Sequence, residues 1–196
     1  MTFLSNPKGY TPLEFDFFVN SLKWTSWKPK FITLHNTGEP SLKQWMQGNH
    51  GKPVDDAYEL QRMRNLIHYY KDQMKWHSGP HLIISPRKIW TLCDLTQDGV
   101  SVRCWNKVTL ALEMVGDYSH EAFDSGDGAK VRDLTVSALA SLHKVLKLTP
   151  LPYLTGSFGL HPHTDCVQDR KTCPGKLVSM VDMRSRVAAA MGNTIK

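Results

Sequence analysis

No apolar run in these 196 residues approaches the roughly 20 needed to span a bilayer, so no stable membrane insertion is expected. The amino terminus, MTFLSNPKGYTPLEFDFF, lacks a basic stretch followed by an uninterrupted apolar core, which speaks against a secretory signal. A chain of this kind acting outside the cytoplasm would need another system to release it. There is no arginine-rich arm; Lys23, Lys28, Lys30, Arg62, Arg64, Arg87, Lys88, Arg184 and Arg186 are scattered. Cysteine is sparse. Cys93, Cys104, Cys166 and Cys173 form no CxxC pair and no dense framework, so reduced thiols are the expectation. Repeats, low-complexity tracts and linker-like stretches are absent too, and the length suits a single well-buried domain with at most a short extension.

What is present is an ordinary globular composition, 41% hydrophobic and 21% charged, with a net charge of +6. A basic surface suits an anionic partner, whether nucleic acid, a membrane face or an acidic cell-envelope polymer, and charge alone does not choose one. The segment PLEFDFFVNSL has helical spacing, and KFITLHNTG reads as a buried strand. From Val54 to Met74, the apolar positions Leu60, Met63, Ile67, Tyr70 and Met74 recur at helical spacing behind a capping Asp55 or Asp56. Three short apolar runs follow, HLIIS, KIWTLCDL and KVTLALEMVG, punctuated as strands. Val131 to Leu148 reads as a second long helix. Tyr153 to His161 can include a last strand, and Lys176 to Met191 has helical spacing. Together these predict an α/β fold, a single domain with a central mixed β-sheet flanked by helices.

The strongest chemical signal is GLHPHTDCVQDRKTCPGK. A histidine, a carboxylate two residues on and a cysteine ten residues after the histidine can converge if the loop folds back. Zinc accepts imidazole and thiolate, and a catalytic site takes three protein ligands with a fourth position left for water. His35, at the end of an apolar strand, is the best candidate for the third ligand. His161 rivals His163, and Cys166 could compete with Cys173, although it lies only three residues from His163. Cys93 and Cys104 read as small apolar residues in strands.

Taken together and in this order, FITLHNTG, TLALEMVG and HTDCVQDRKTCPG resemble the type 2 N-acetylmuramoyl-L-alanine amidases, a family of phage lytic amidases, peptidoglycan recognition proteins and cytosolic muropeptide-recycling amidases. The resemblance covers roughly residues 30–190. It implies an extension with a short helix over 1–29 and a zinc amidase catalytic domain over 30–196. It implies Zn2+ held by His35, His163 and Cys173, with peptidoglycan and no nucleic acid as partner and a monomer as the working unit. His163 is favoured over His161 because Asp165 follows two residues later, and Asp165 resembles the family carboxylate that orients a ligand through a hydrogen bond. Glu113 is implied as general base, and strand alternation puts it on one face with Ala111 and Val115. Lys171, two residues before the cysteine ligand, is implied as the group that stabilises the oxyanion. Pro174-Gly175 would fix the turn and start the final helix.

Two departures stand out. Many relatives place a catalytic tyrosine before the histidine of the second strand, where this chain has Pro80 before His81, and Cys104-Trp105-Asn106 stands where a Trp-His pair is common. The resulting expectation is a peptidoglycan amidase cutting between the lactyl group of N-acetylmuramic acid and L-alanine, a phage or prophage endolysin held in the host cytoplasm until released to the periplasm or wall. Two alternatives remain. A muropeptide-recycling amidase usually ends its ligand set in Asp rather than Cys. A non-catalytic peptidoglycan-binding protein typically loses the Cys ligand.

Overall fold

The computed structural model describes residues 2–48, 53–150 and 159–192. Six strands, β1 (Phe3–Tyr10), β2 (Phe31–Asn36), β3 (Leu82–Ile84), β4 (Ile89–Cys93), β5 (Thr109–Met114) and β6 (Leu160–Pro162), form one sheet in the order β1-β4-β3-β5-β2-β6. Both β2 and β3 run parallel to β5, and β6 runs parallel to β2; β4 is antiparallel to β3 and to β1. The helices are α1 (Pro12–Ser21), α2 (Leu42–Met46), α3 (Asp56–Asp72), α4 (Gly126–Leu146) and α5 (Met180–Ala190). Among the described residues no helix is long and apolar enough to cross a membrane.

This is the expected mixed α/β architecture, with two additions. β1 pairs with β4, so the first residues join the central sheet. Its sequence, with Pro7 and Gly9 inside, carries little strand signal, and it sits on an edge, where a proline costs no interior ladder bond. Helix α2 is short but has a full capping box, Ser41 with Gln44. The expected strand over 153–161 falls partly outside the described residues; Leu160–Pro162 is strand.

The central strands β2, β3 and β5 are apolar, as suits parallel strands covered on both sides. Helix α4 lies against β3, β4 and β5, with α1 and α5 packed on α4. Helix α3 contacts β1 and β4, and a buried carboxylate anchors it. Glu59 accepts from the indole N–H groups of Trp45 (3.0 Å) and Trp90 (3.1 Å) and from the Ser85 hydroxyl (2.9 Å). Burial still pushes its pKa up, although those donors offset part of the cost. Removing one of them would leave a buried acceptor short of a partner.

Two buried histidines are held neutral. His81 Nδ1 accepts from the Ala111 amide (3.1 Å), so its proton sits on Nε2, which donates to the Gln97 carbonyl (2.9 Å). His143, on α4, donates from Nδ1 to the Leu139 carbonyl (2.7 Å). Burial pushes each pKa down to about 4. In the unfolded chain a histidine titrates near 6.5, so there the unfolded state binds protons first and stability is lost as pH falls from about 6.5 towards 4. At pH 5 each ring should cost about 2 kcal/mol relative to pH 7. Urea unfolding at the two pH values should show this loss, and His143→Gln should reduce it by about 2 kcal/mol; an unchanged difference would remove His143 from the account.

Candidate metal centre and active site

The parallel pairing of β2 with β5 sets His35 opposite Glu113, at the carboxyl ends of both strands. His35 is buried, and Glu113 opens on a cleft of about 320 Å³. His163 begins a single 3-10 turn (His163–Asp165) directly after β6, the neighbour of β2 on its other side. The loop that follows returns Cys173 to the same point. Its sulfur lies 3.0 Å from His163 Nδ1 and 3.8 Å from His35 Nδ1. One ligand atom from each of His35, His163 and Cys173 lies within 4.8 Å of the others. Lys171 lines the same cleft. The structure therefore brings all five predicted site residues to one place.

The loop is fixed at several points. The Thr164 amide donates to the Cys173 carbonyl (3.2 Å), and the Gly175 amide to the Thr172 carbonyl (3.0 Å). Gly175 has φ +103°, and a Cβ there would stand 2.5 Å from the Tyr118 backbone, so the close turn after Cys173 requires glycine. Helix α5 starts five residues later, at Met180, rather than at this turn.

Three expectations are corrected here. Asp165 does not orient His163; it faces His161 Nδ1 at 3.2 Å. The carboxylate on His163 belongs to Asp169, whose Oδ2 accepts from Nε2 at 2.8 Å and from the Arg103 amide at 2.9 Å. That contact fixes the His163 tautomer and leaves Nδ1 free to face the sulfur. Cys104 is not a small apolar strand residue. It lies in a turn and forms a disulfide with Cys166, so neither thiol is reduced and Cys166 does not compete for a metal. Cys93 is a buried free thiol at the end of β4, as expected. His161 is buried against Phe31 and Trp105, away from the ligand group. His81 serves the backbone, and Asn106 accepts from the Ser101 and Val102 amides, bracing the loop beside Cys104.

Burial sets the electrostatics. It pushes the His35 pKa well below its usual range, aided by the neighbouring His163, and so keeps the neutral ring that ligates metals. Burial raises the Cys173 thiol to about 12, reinforced by the charge of Glu113. Burial likewise raises Glu113 to about 7, although a hydrogen bond from the Tyr70 hydroxyl (3.1 Å) opposes it. For Asp169 burial acts upward, but His163 and the Arg103 amide together hold it below the usual carboxylate range. Tyr70 was legible only as one apolar position of α3, since nothing in local spacing points a helix residue at a strand carboxylate.

The sequence pattern of the N-acetylmuramoyl-L-alanine amidase family (Amidase_2) matches residues 25–176. The chain belongs to this type 2 amidase family. Solved structures share the fold at low identity. An endolysin N-acetylmuramoyl-L-alanine amidase, LysCS from Clostridium intestinale, is 16% identical with a TM-score of 0.56, covering 89% of this chain and 90% of that one. A point mutant of Drosophila PGRP-LB, in complex with tracheal cytotoxin, is 15% identical with a TM-score of 0.59, covering 85% and 86%. A mutant endolysin from Bacillus subtilis is 19% identical with a TM-score of 0.54, covering 85% and 88%. No curated protein matches the chain in sequence. The structural likenesses speak to the fold alone.

The disulfide joins residues 62 apart and ties the ligand loop of this amidase-family chain to the turn before β5. Closing such a loop in the unfolded chain is worth about 4 kcal/mol on chain entropy, and measured values usually fall between about 2 and 4. Replacing both Cys104 and Cys166 with serine should lower unfolding free energy by that amount in urea melts. A loss below about 0.5 kcal/mol would show that the bond does not constrain the fold.

Proposed function

We propose that this chain is a zinc-dependent peptidoglycan hydrolase, an N-acetylmuramoyl-L-alanine amidase that cleaves the amide between the lactyl group of N-acetylmuramic acid and L-alanine, and that it serves a phage or prophage as an endolysin. The observation that carries the reading is the convergence of His35, His163 and Cys173 within 4.8 Å, on the cleft that Glu113 and Lys171 also line. Family membership and the endolysins among the structures of like fold support the same reading.

The donor set suits zinc. Two imidazoles and one cysteine sulfur are the nitrogen and sulfur ligands it takes, and three of them leave a fourth position open, as in catalytic sites. His35 Nε2 is buried without a hydrogen-bond partner, and its Nδ1 has only the long contact to the sulfur. A cation between the three donors would take up the Nδ1 that faces the sulfur. Zinc bound here would polarise the scissile carbonyl and acidify a water. The rest of the chemistry falls to the chain. Glu113, held near neutrality by its surroundings, takes the proton of the attacking water and hands it to the leaving nitrogen of L-alanine. The Lys171 ammonium offsets the negative charge that grows on the carbonyl oxygen.

All of these groups come from one chain, and we take the monomer as the working unit. The Cys104–Cys166 disulfide fits action on the periplasmic or wall side, because disulfides persist in oxidising compartments. Arrival there from the host cytoplasm belongs to the same proposal.

Digestion of purified sacculi, followed by mass spectrometry, should release free peptides that begin with L-alanine and leave intact glycan strands. Products cut within the glycan or the peptide would overturn the bond assignment, and binding without release would make the chain a recognition protein. Two variants test the roles. Cys173→Ala should lose zinc, measured by elemental analysis, and activity together. Glu113→Gln should keep zinc and fold while turnover falls by roughly 100-fold or more.

A further inference from the structure

Tyr70 stands in the last turn of α3, and its hydroxyl donates to Glu113 Oε2 at 3.1 Å. Its ring packs against two others. Phe3 of β1 stacks on it with centroids 5.9 Å apart and planes 1° apart, and Trp76 stacks on it at 5.5 Å and 12°. The Trp76 amide donates to the Tyr70 carbonyl (2.9 Å), which fixes the backbone between the two stacked rings. Phe3 is itself buried, and β1 is bonded along β4. Neither β1 nor α1 falls in the stretch matched to the family, which begins at residue 25.

A carboxylate on a strand end has freedom in its side-chain torsions, and the terminal one is broad. A hydrogen bond to one oxygen from a ring that cannot turn removes that freedom. That leaves Oε1 as the oxygen open to a water in the cleft, which Glu113 and Tyr70 both line. We infer that Tyr70, backed by Phe3 of the N-terminal strand, is a positioning residue for Glu113, fixing which carboxylate oxygen accepts the proton. This rests on the reading of Glu113 as the base. It gives β1 a part in catalysis without contact with the substrate.

The test is a double-mutant cycle on the full-length zinc-loaded protein. Tyr70→Phe removes the hydroxyl and keeps the stacked ring, so zinc content and melting temperature should match the parent. We expect kcat to fall about 10- to 100-fold, the range that misplacement of a reacting group produces, with KM within about twofold. In the Glu113→Gln background the same change should cost less than about twofold, because there is no carboxylate left to aim. Phe3→Leu, which keeps bulk but loses the flat face, should lower kcat by a smaller factor at unchanged KM. The inference is overturned if Tyr70→Phe keeps kcat within about twofold, or if it costs the same factor in both backgrounds. A fully active Glu113→Gln would instead sink the base assignment, so the two failures are distinguishable.

Discussion

The site depends on one pairing, that of β2 with β5 in parallel and in the register that sets His35 against Glu113. A strand alternates its side chains, so a slip of one residue would turn His35 into the apolar layer and bring Leu34 to the cleft. The register is held by the apolar faces of both strands and by a buried hydrogen bond between the Thr33 and Thr109 hydroxyls (2.7 Å). Parallel strands also end on the same side of a sheet, which is why His35 and Glu113 can share one cleft although 78 residues separate them in the chain.

The other two members of the candidate metal group, His163 and Cys173, come from a loop, and loops need outside restraint to hold metal geometry. Here the restraint comes from the turn before β5. Cys166 is bonded to Cys104 of that turn, and Asp169 accepts from the amide of Arg103 while it receives the His163 proton. The covalent and the polar contact act on adjacent residues, so the 103–104 segment fixes both the path of the loop and the tautomer of the ligand it carries. Asn106 in turn braces that segment. What looked like a departure from the family at Cys104-Trp105-Asn106 is thus a support for the ligand loop.

Much of the architecture was legible because its signals are local. Helical spacing marked α1, α3 and α4, and apolar runs marked β2 to β5. The ligand set was legible only through the joint occurrence of several motifs, since His35 by itself resembles any buried strand histidine. The misses share a cause. Asp165 was expected as the orienting carboxylate on its likeness to the family motif, but the 3-10 turn points it at His161, and the carboxylate on His163 is Asp169. The Cys104–Cys166 bond and the Tyr70–Glu113 bond join residues brought together by tertiary packing, and spacing carries no trace of either. β1 has an edge strand's tolerance for proline and glycine, which removes the usual signature of a strand.

The electrostatics of the site has one direction. Burial keeps His35 neutral, keeps the Cys173 thiol protonated to about pH 12 and holds Glu113 protonated to about 7. Each shift favours the uncharged form, so the fold by itself does not store unpaired charge at the cleft floor. The cost of a thiolate is left to be met by a cation, and ligation at neutral pH must therefore expel a proton. Affinity for the metal should then rise with pH across the neutral range. The same burial leaves Glu113 close to the pH at which a carboxylate can both take and return a proton, a property that neither an exposed glutamate nor one paired with a lysine would have. One low-dielectric pocket thus suits two different groups to the roles proposed for them, Cys173 as a ligand that yields its proton to a metal and Glu113 as a base that exchanges one with water.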